Sequence, residues 1–384
     1  MDYDFTTLIR RDDSIKWQMM GERRPDLDDQ VIPLTVADME WKPAPEIVDG
    51  LKAYLDQTIL GYPRITDDYL QAVIGWMKRR HDFSVEKEWI YPTSGIVPAV
   101  YAAIHALTSP QDGVIVMPPV YFPFYSAIRD TTRTAVDCPL IKEGNSYVID
   151  FERFESQARN PKNTLFILCS PHNPVGRVWT KDELRRLDEI CREHQVAVLA
   201  DEIHHDLVMP GYKHTIFQTL SEETALNTIT CTAPSKTFNL AGMGVSNLII
   251  KNEGWRKRYD TYEEQAGFPS VTMLGYKACE LAYTKAESWL DQALTQINRN
   301  RQLAESFFSE YFPETSIATL EGTYLLWVDI SHIPGIERTD LRFYPLDGKV
   351  FGHGGEGFWR LNLALPESCL KSQLMRLAED FART

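Results

Sequence analysis

A lysine, an aspartate and an asparagine, each placed just after an apolar run, are the residues of this chain best suited to chemistry. Lys236 lies in Ala233-Pro234-Ser235-Lys236-Thr237-Phe238-Asn239, Asp201 in Ala200-Asp201-Glu202, and Asn173 in Ser170-Pro171-His172-Asn173-Pro174. A lysine amine with a lowered pKa forms a Schiff base with an aldehyde. A carboxylate keeps a pyridine nitrogen protonated by charge pairing, and the protonated ring then accepts electrons from a substrate α-carbon. A side-chain amide on a turn fixed by two prolines and a glycine can donate to a ring oxygen. Singly, these are a surface lysine, a helix cap and an ordinary turn. All three in this order are what a pyridoxal 5'-phosphate site needs.

Further residues extend the set. Ser94-Gly95-Ile96 precedes a helical segment, 97–107, whose first backbone N–H groups suit a phosphate. Tyr121 follows Met117-Pro118-Pro119-Val120 and offers a ring to stack on a flat cofactor, with core packing as the alternative. Arg360, in Phe358-Trp359-Arg360-Leu361-Asn362, has the fork that suits a carboxylate, or a structural salt bridge. The run Asp201-Glu202-Ile203-His204-His205-Asp206 invites a metal, but HExxH spacing and a cysteine-rich partner are absent, so no metal is expected. G-x-S-x-G, Walker A and G-x-G-x-x-G elements are absent as well. Gly352-His353-Gly354-Gly355 lacks a strand-then-helix setting and is expected to be a loop.

The elements that must position these residues follow from hydrophobic spacing. Residues 114–117, 164–168 and 196–199 are short apolar runs bounded by Pro, Gly or Asp, as expected of buried strands. Residues 227–231 and 246–250 are expected to be two more. Helical spacing covers 45–54, 66–81 and 97–107, with Pro98 tolerated in a first turn. Thr180-Lys181-Asp182-Glu183 predicts a capping box. This alternation argues an α/β domain with a mostly parallel sheet. The first 45 or so residues are polar, then extended over 31–36. From 287 the pattern changes to a long amphipathic helix toward 312, strands at 323–330 and 357–363, and a last helix over 367–383. The expected division is a large domain, 46–286, and a smaller α+β domain built from 1–45 and 287–384. Ligands of open α/β sheets sit beyond the carboxyl ends of the strands, where Asn173, Asp201 and Lys236 fall.

Composition narrows the classes. The chain has 384 residues, 43% hydrophobic and 24% charged, with a formal net charge of -14. That charge disfavours nucleic acid or an anionic membrane as the main partner. No apolar run approaches the ~20 residues of a membrane span. The acidic, mixed start Asp2-Tyr3-Asp4-Phe5 is unlike a signal peptide. The six cysteines are scattered without a CxxC pair, as expected of reduced thiols in the cytoplasm.

In this order, these residues resemble the fold-type I pyridoxal-phosphate enzymes of the class I/II aminotransferase family. The likeness narrows at Val36-Ala37-Asp38-Met39-Glu40, Leu60-Gly61-Tyr62, Ser170-Pro171-His172-Asn173-Pro174-Val175-Gly176-Arg177-Val178-Trp179, Asp201-Glu202-Ile203-His204 and Pro234-Ser235-Lys236-Thr237-Phe238-Asn239-Leu240-Ala241-Gly242. These look like the cystathionine β-lyase group of the MalY and PatB type, over about residues 3–365. The resemblance implies a seven-stranded sheet of that fold type. It implies Lys236 as the Schiff-base lysine and the acid/base at the α-carbon, with Tyr121 as the second catalytic candidate, stacked on the ring. Asp201 would pair with the ring nitrogen and Asn173 with the ring hydroxyl. Gly95 and Ile96 would hold the phosphate, and Ser235 and His204 would complete the cofactor site. Tyr62 would reach the phosphate of a neighbouring subunit, making a homodimer the expected unit. Arg360, Asn173 and the backbone near Ala37 would bind the substrate carboxylate.

Two of the departures from the expected pattern point the same way. The position eight after the lysine, usually arginine, is Gly244. His204 replaces a tyrosine common three after the ring aspartate. Both changes fit the lyase group. The serine expected three before the lysine is Ala233, leaving Thr232 or Ser235 to supply a hydroxyl. A second tyrosine after the stacking one is Phe122 here. Between Trp327 and Phe351 the chain is shortened, and 339–348, with Pro345, suits a helix poorly. The implied activity is β-elimination from cystathionine or another S-substituted cysteine, giving pyruvate, ammonia and a thiol. An aminotransferase on the same scaffold is the alternative, as is a lyase that also binds a transcription regulator.

Overall fold

The computed structural model describes residues 2–267, 271–336 and 338–382. Its strands, in chain order, are β1 Ile90–Thr93, β2 Gly113–Val116, β3 Thr134–Asp137, β4 Ile141–Glu143, β5 Ser146–Val148, β6 Asn163–Cys169 and β7 Ala197–Asp201. They continue as β8 Thr228–Thr232, β9 Ser246–Ile250, β10 Ser316–Ile317, β11 Leu325–Asp329, β12 Leu346–Asp347 and β13 Phe358–Asn362. The helices are α1 Ile15–Arg23, α2 Pro45–Leu55, α3 Asp67–His81, α4 Ile96–Leu107, α5 Pro123–Asp130, α6 Phe151–Ala158 and α7 Lys181–Glu193. Then follow α8 Glu222–Leu226, α9 Pro234–Thr237, α10 Glu253–Ala266, α11 Met273–Lys285, α12 Glu287–Tyr311 and α13 Glu367–Ala382.

Aliphatic and β-branched runs buried on both faces make the main sheet, as expected when helices cover it on either side. β2, β7, β8 and β9 are buried along their whole length. Seven strands lie in the order β1-β9-β8-β7-β6-β2-β3, and only β9 runs against its neighbours. The predicted capping box forms at α7, where the Thr180 side chain accepts from the Glu183 backbone and Glu183 reaches back to the Thr180 N–H.

A second sheet, β10-β11-β13-β12, is antiparallel throughout. Within 31–36 only Leu34 pairs, bridging to Pro345 at the margin of this sheet. The expected long helix is α12, and α13 ends at Ala382, with Arg383 outside the described residues. Residues 339–347 hold no helix, only the two-residue β12, and a short 3-10 turn begins at Gly348. The first 45 residues differ from expectation by containing α1. Its Lys16, Trp17 and Met20 are buried while Ile15 lies outward, so apolar residues fall on two faces and give no single stripe. Edge strand β3 and the hairpin β4–β5 also lack a sequence signal, since their residues are largely exposed and short of apolar alternation. Among the described residues no helix is long and apolar enough to cross a membrane, and all six cysteines are free thiols.

Candidate active site

Parallel strands send their carboxyl ends to one edge of the sheet. The chain after β6 brings Asn173 there, β7 ends in Asp201, and β8 leads into α9 with Lys236. The turn after β1 brings Ser94 and Gly95, the segment after β2 brings Tyr121, and reversed β9 begins there with Ser246. These residues border one cavity of about 650 Å³.

Lys236 is half-buried, its open side facing this cavity. Its Nζ donates to the carbonyl of Ala37 at 2.6 Å, and Tyr324 Oη donates to the same oxygen at 2.9 Å. The segment carrying Ala37 is held in turn by Asn362, whose Nδ2 donates to the carbonyls of Val36 and Asp38. Burial pushes the Lys236 ammonium down to about 8, opposed by the Asp38 charge and helped by Arg360. The amine is thereby closer to its nucleophilic form near neutral pH.

Asp201 is buried and accepts one bond, from the N–H of Ile203 at 3.2 Å. Burial pushes its carboxyl up to about 7, with the Glu202 charge adding and the Lys236 charge opposing. A buried carboxylate in this position lacks a close cation, and a protonated pyridine nitrogen across the cavity would supply one. The donor set therefore fits a pyridoxal ring.

Arg360 is buried on β13. Its Nη1 donates to Asn173 Oδ1 at 3.0 Å and its Nη2 to the carbonyl of Thr35 at 2.7 Å, while Nε has no partner. Because guanidinium only donates, Asn173 must turn its oxygen toward Arg360, which leaves its amide N–H₂ for the cavity. Burial lowers the guanidinium to about 10, so it stays charged at neutral pH.

At the far end the cavity meets the first turn of α4, whose N–H groups lack intrahelical acceptors and favour an anion. Gly95, Ile96, Ser94, Ser235 and Ser246 border this end. Of the two hydroxyls left open by the sequence, Ser235 borders the cavity, whereas Thr232 is wholly buried in β8 and does not. Gly244 has φ 55°, and a Cβ there would lie 3.3 Å from the Ser94 carbonyl, so a side chain at this position is strained and crowded.

Tyr121 and His204 also border the cavity. Burial, with the Asp201 charge, pushes the Tyr121 phenol up to about 12, so it is a neutral ring. Burial holds the His204 imidazole well below its usual value, and its Nδ1 is unpartnered. Tyr62 does not border this cavity; it is fully exposed, beside exposed Ile59 and Leu60.

Behind the site lies a second polar layer. Asp206 accepts from Thr237 Oγ1 at 2.8 Å, from Trp76 Nε1 at 3.2 Å and shares a proton with His81 Nε2 at 2.7 Å. Glu202 accepts from the Phe217 N–H and faces His214 Nε2, both at 2.8 Å. Among the described residues His81, His205 and Asp206 are close enough to share a cation. The Asp206 oxygens already have donors, which makes the cluster a hydrogen-bond hub.

Among the cavity residues that the sequence did not point to are Ile15, Met19, Arg23, Leu346 and Val350. The four-residue spacing of Ile15, Met19 and Arg23, all cavity residues on one face of α1, was the available signal.

Residues 29–364 match the family model "Aminotransferase class I and II". The chain is 39% identical to cystathionine beta-lyase PatB of Bacillus subtilis over 372 residues, covering 95% of each chain. It is 28% identical to protein MalY of Escherichia coli over 383 residues, covering 96% of each. Among solved structures it is similar to cystalysin from Treponema denticola, which contains a pyridoxal 5'-phosphate cofactor, with TM-score 0.97, 43% identity and 100% of both chains covered.

Proposed function

We propose that this chain, which belongs to the aminotransferase class I and II family, is a pyridoxal-phosphate-dependent carbon–sulfur β-lyase. The observation that carries this reading is the convergence of Lys236, Asp201, Asn173 and Arg360 on one cavity, in a chain whose full-length relatives are named cystathionine beta-lyase. When bound, the cofactor supplies an aldehyde for covalent attachment and a ring that stores the electron pair released at the substrate α-carbon.

The chain's own residues do the rest. Lys236 Nζ would hold the cofactor between turnovers and, when free, would take the proton from the substrate α-carbon. Asp201 would hold a proton on the ring nitrogen, Asn173 would donate to the ring hydroxyl, and Tyr121 would offer its face to the ring. Ser235, His204 and the backbone of Gly95 and Ile96 complete the site, the latter two at the phosphate. Arg360 binds the substrate carboxylate with help from Asn173 and the backbone at Ala37. The β-carbon–sulfur bond then breaks, its electrons leaving with the thiolate. Overall, one S-substituted cysteine and one water become a thiol, pyruvate and ammonia.

The unit we propose is a homodimer, each Tyr62 reaching the phosphate of the other site. Full exposure of Tyr62, Ile59 and Leu60 supports this. Six free cysteines support a reducing compartment, the cytoplasm. The division at 46 and 286 remains our proposal for the domain boundaries.

Purified protein loaded with pyridoxal 5'-phosphate should release pyruvate and thiol from cystathionine or another cysteine thioether with no keto acid present. Product that appears only with a keto-acid acceptor would replace this reading with an aminotransferase.

A further inference from the structure

Three successive backbone carbonyls, those of Val36, Ala37 and Asp38, are each held by side chains from elsewhere in the fold. Asn362 Nδ2 donates to the outer two, at 2.8 and 2.7 Å, and Lys16 Nζ adds a second donor to Asp38 at 3.1 Å. The Ala37 carbonyl between them accepts instead from Tyr324 Oη at 2.9 Å and from Lys236 Nζ at 2.6 Å. A carbonyl oxygen has two lone pairs, and these two donors fill both.

Tyr324 is wholly buried and does not border the cavity, so it reaches the chemistry only through this oxygen. Burial pushes its phenol far up, which keeps the O–H proton in place to donate. Its own position is fixed on both sides. The Thr323 N–H before it donates to the Leu207 carbonyl at 2.7 Å, and its carbonyl accepts from the Leu363 N–H at 2.9 Å. Its ring meets that of His204 edge to face, 6.1 Å between centroids.

Resting on Lys236 as the lysine of the lyase reading, we infer that Tyr324 is a positioning residue for the Lys236 amine, acting through the shared Ala37 carbonyl. By occupying one lone pair, the phenol leaves the oxygen a single acceptor site for the lysine. A free amine then points one N–H at Ala37 and keeps its own lone pair for the cavity. The same bond acts on charge. An oxygen that already accepts from a phenol is a weaker partner for an ammonium, and a weaker partner favours the charged form less. The other groups that face the amine are Asp38, Arg360, Asp201, Lys16 and His204, and Tyr324→Phe leaves all of them in place.

The test is made on apoprotein and needs no turnover. Trace acetylation by acetic anhydride over a pH series, with the Lys236 peptide quantified by mass spectrometry, reads the neutral fraction of this one amine. Tyr324→Phe should move the midpoint up by about half a unit to one unit, the effect of one hydrogen bond. Below the midpoint, covalent attachment of pyridoxal 5'-phosphate should slow by about three- to tenfold. Replacing Tyr324 with a ring-fluorinated tyrosine, a stronger donor of nearly the same shape, should move the midpoint down, and this variant decides if Tyr324→Phe does not fold. Asn362→Ala loosens the same segment but leaves the phenol, so its midpoint should stay with wild type. In the holoenzyme, Tyr324→Phe should lower kcat and spare KM for cystathionine, since Arg360 still holds the carboxylate. An unmoved midpoint in Tyr324→Phe overturns the inference. So does an equal shift in Asn362→Ala, which would reduce Tyr324 to a brace for the segment. Either result spares the lyase reading if wild type releases pyruvate, whereas a borohydride-trapped adduct away from residue 236 sinks both.

Discussion

Thr237 Oγ1 donates to Asp206 Oδ2 at 2.8 Å, tying the turn that carries Lys236 to the loop that begins at Asp201. The two residues proposed to hold the cofactor ring, Lys236 and Asp201, follow or end adjacent strands, β8 and β7, and this bond joins their exits. A hydrogen bond to a buried charged group contributes about 1.5–3 kcal/mol. Thr237→Val should weaken pyridoxal 5'-phosphate binding roughly tenfold or more by this estimate, with Thr237→Ser recovering it, as read by absorbance titration of the apoprotein. Unchanged binding by Thr237→Val would deny the bond a positioning role.

The lowered value of Lys236 predicts the pH dependence of cofactor attachment. Only the neutral amine attacks an aldehyde, and its fraction rises through about 8, where the free side chain would require 10.5. The rate of covalent attachment to apoprotein should follow that rise. Lys236→Ala should give no borohydride-trapped adduct at this position and no pyruvate.

Asp201 predicts an effect on stability. Its carboxyl moves from 3.8 to about 7 on folding, so between those values the folded chain binds more protons than the unfolded one. The contribution is full below the lower value and is lost as pH rises through the upper one. Asp201→Asn should therefore melt higher than wild-type apoprotein above pH 7, by about a few degrees, and similarly near pH 4. The same variant should lose turnover. Equal melting at both pH values would contradict the burial argument.

Arg360→Lys keeps a charge but loses the fork shared between Asn173 and Thr35. Loss of bidentate carboxylate binding costs about 2–3 kcal/mol, so kcat/KM should fall by roughly 30- to 150-fold, mainly through KM. A fall confined to kcat would place Arg360 elsewhere in the reaction.

The buried sheet was legible because apolar runs cut off by proline, glycine or aspartate leave few alternatives, and 246–250 matches β9 residue for residue. The residues at strand exits were legible because the fold brings those exits together. The cavity mouth was not, for a physical reason. Ile15 and Met19 share α1 with buried Trp17 and Met20, so the helix shows no clean apolar stripe. Leu346 lies in the two-residue β12, placed by its pairing with Arg360, and Val350 in the short 3-10 turn that follows, and neither is readable from hydrophobic spacing. Ser235 rather than Thr232 at the cavity depended on which way one turn faces.

Adjacent peptide units at the end of β7 point in opposite directions, and this sorts two acids into separate compartments. Asp201 opens onto the cavity, while Glu202 turns away to the Phe217 amide and His214. Inserting or deleting one residue in that strand would exchange them. The longer carboxylate would then crowd the space meant for an aromatic heterocycle, and the shorter one would leave an imidazole stranded. Directed evolution of this scaffold should accordingly tolerate changes in loops around the entrance far better than any shift of frame at this junction.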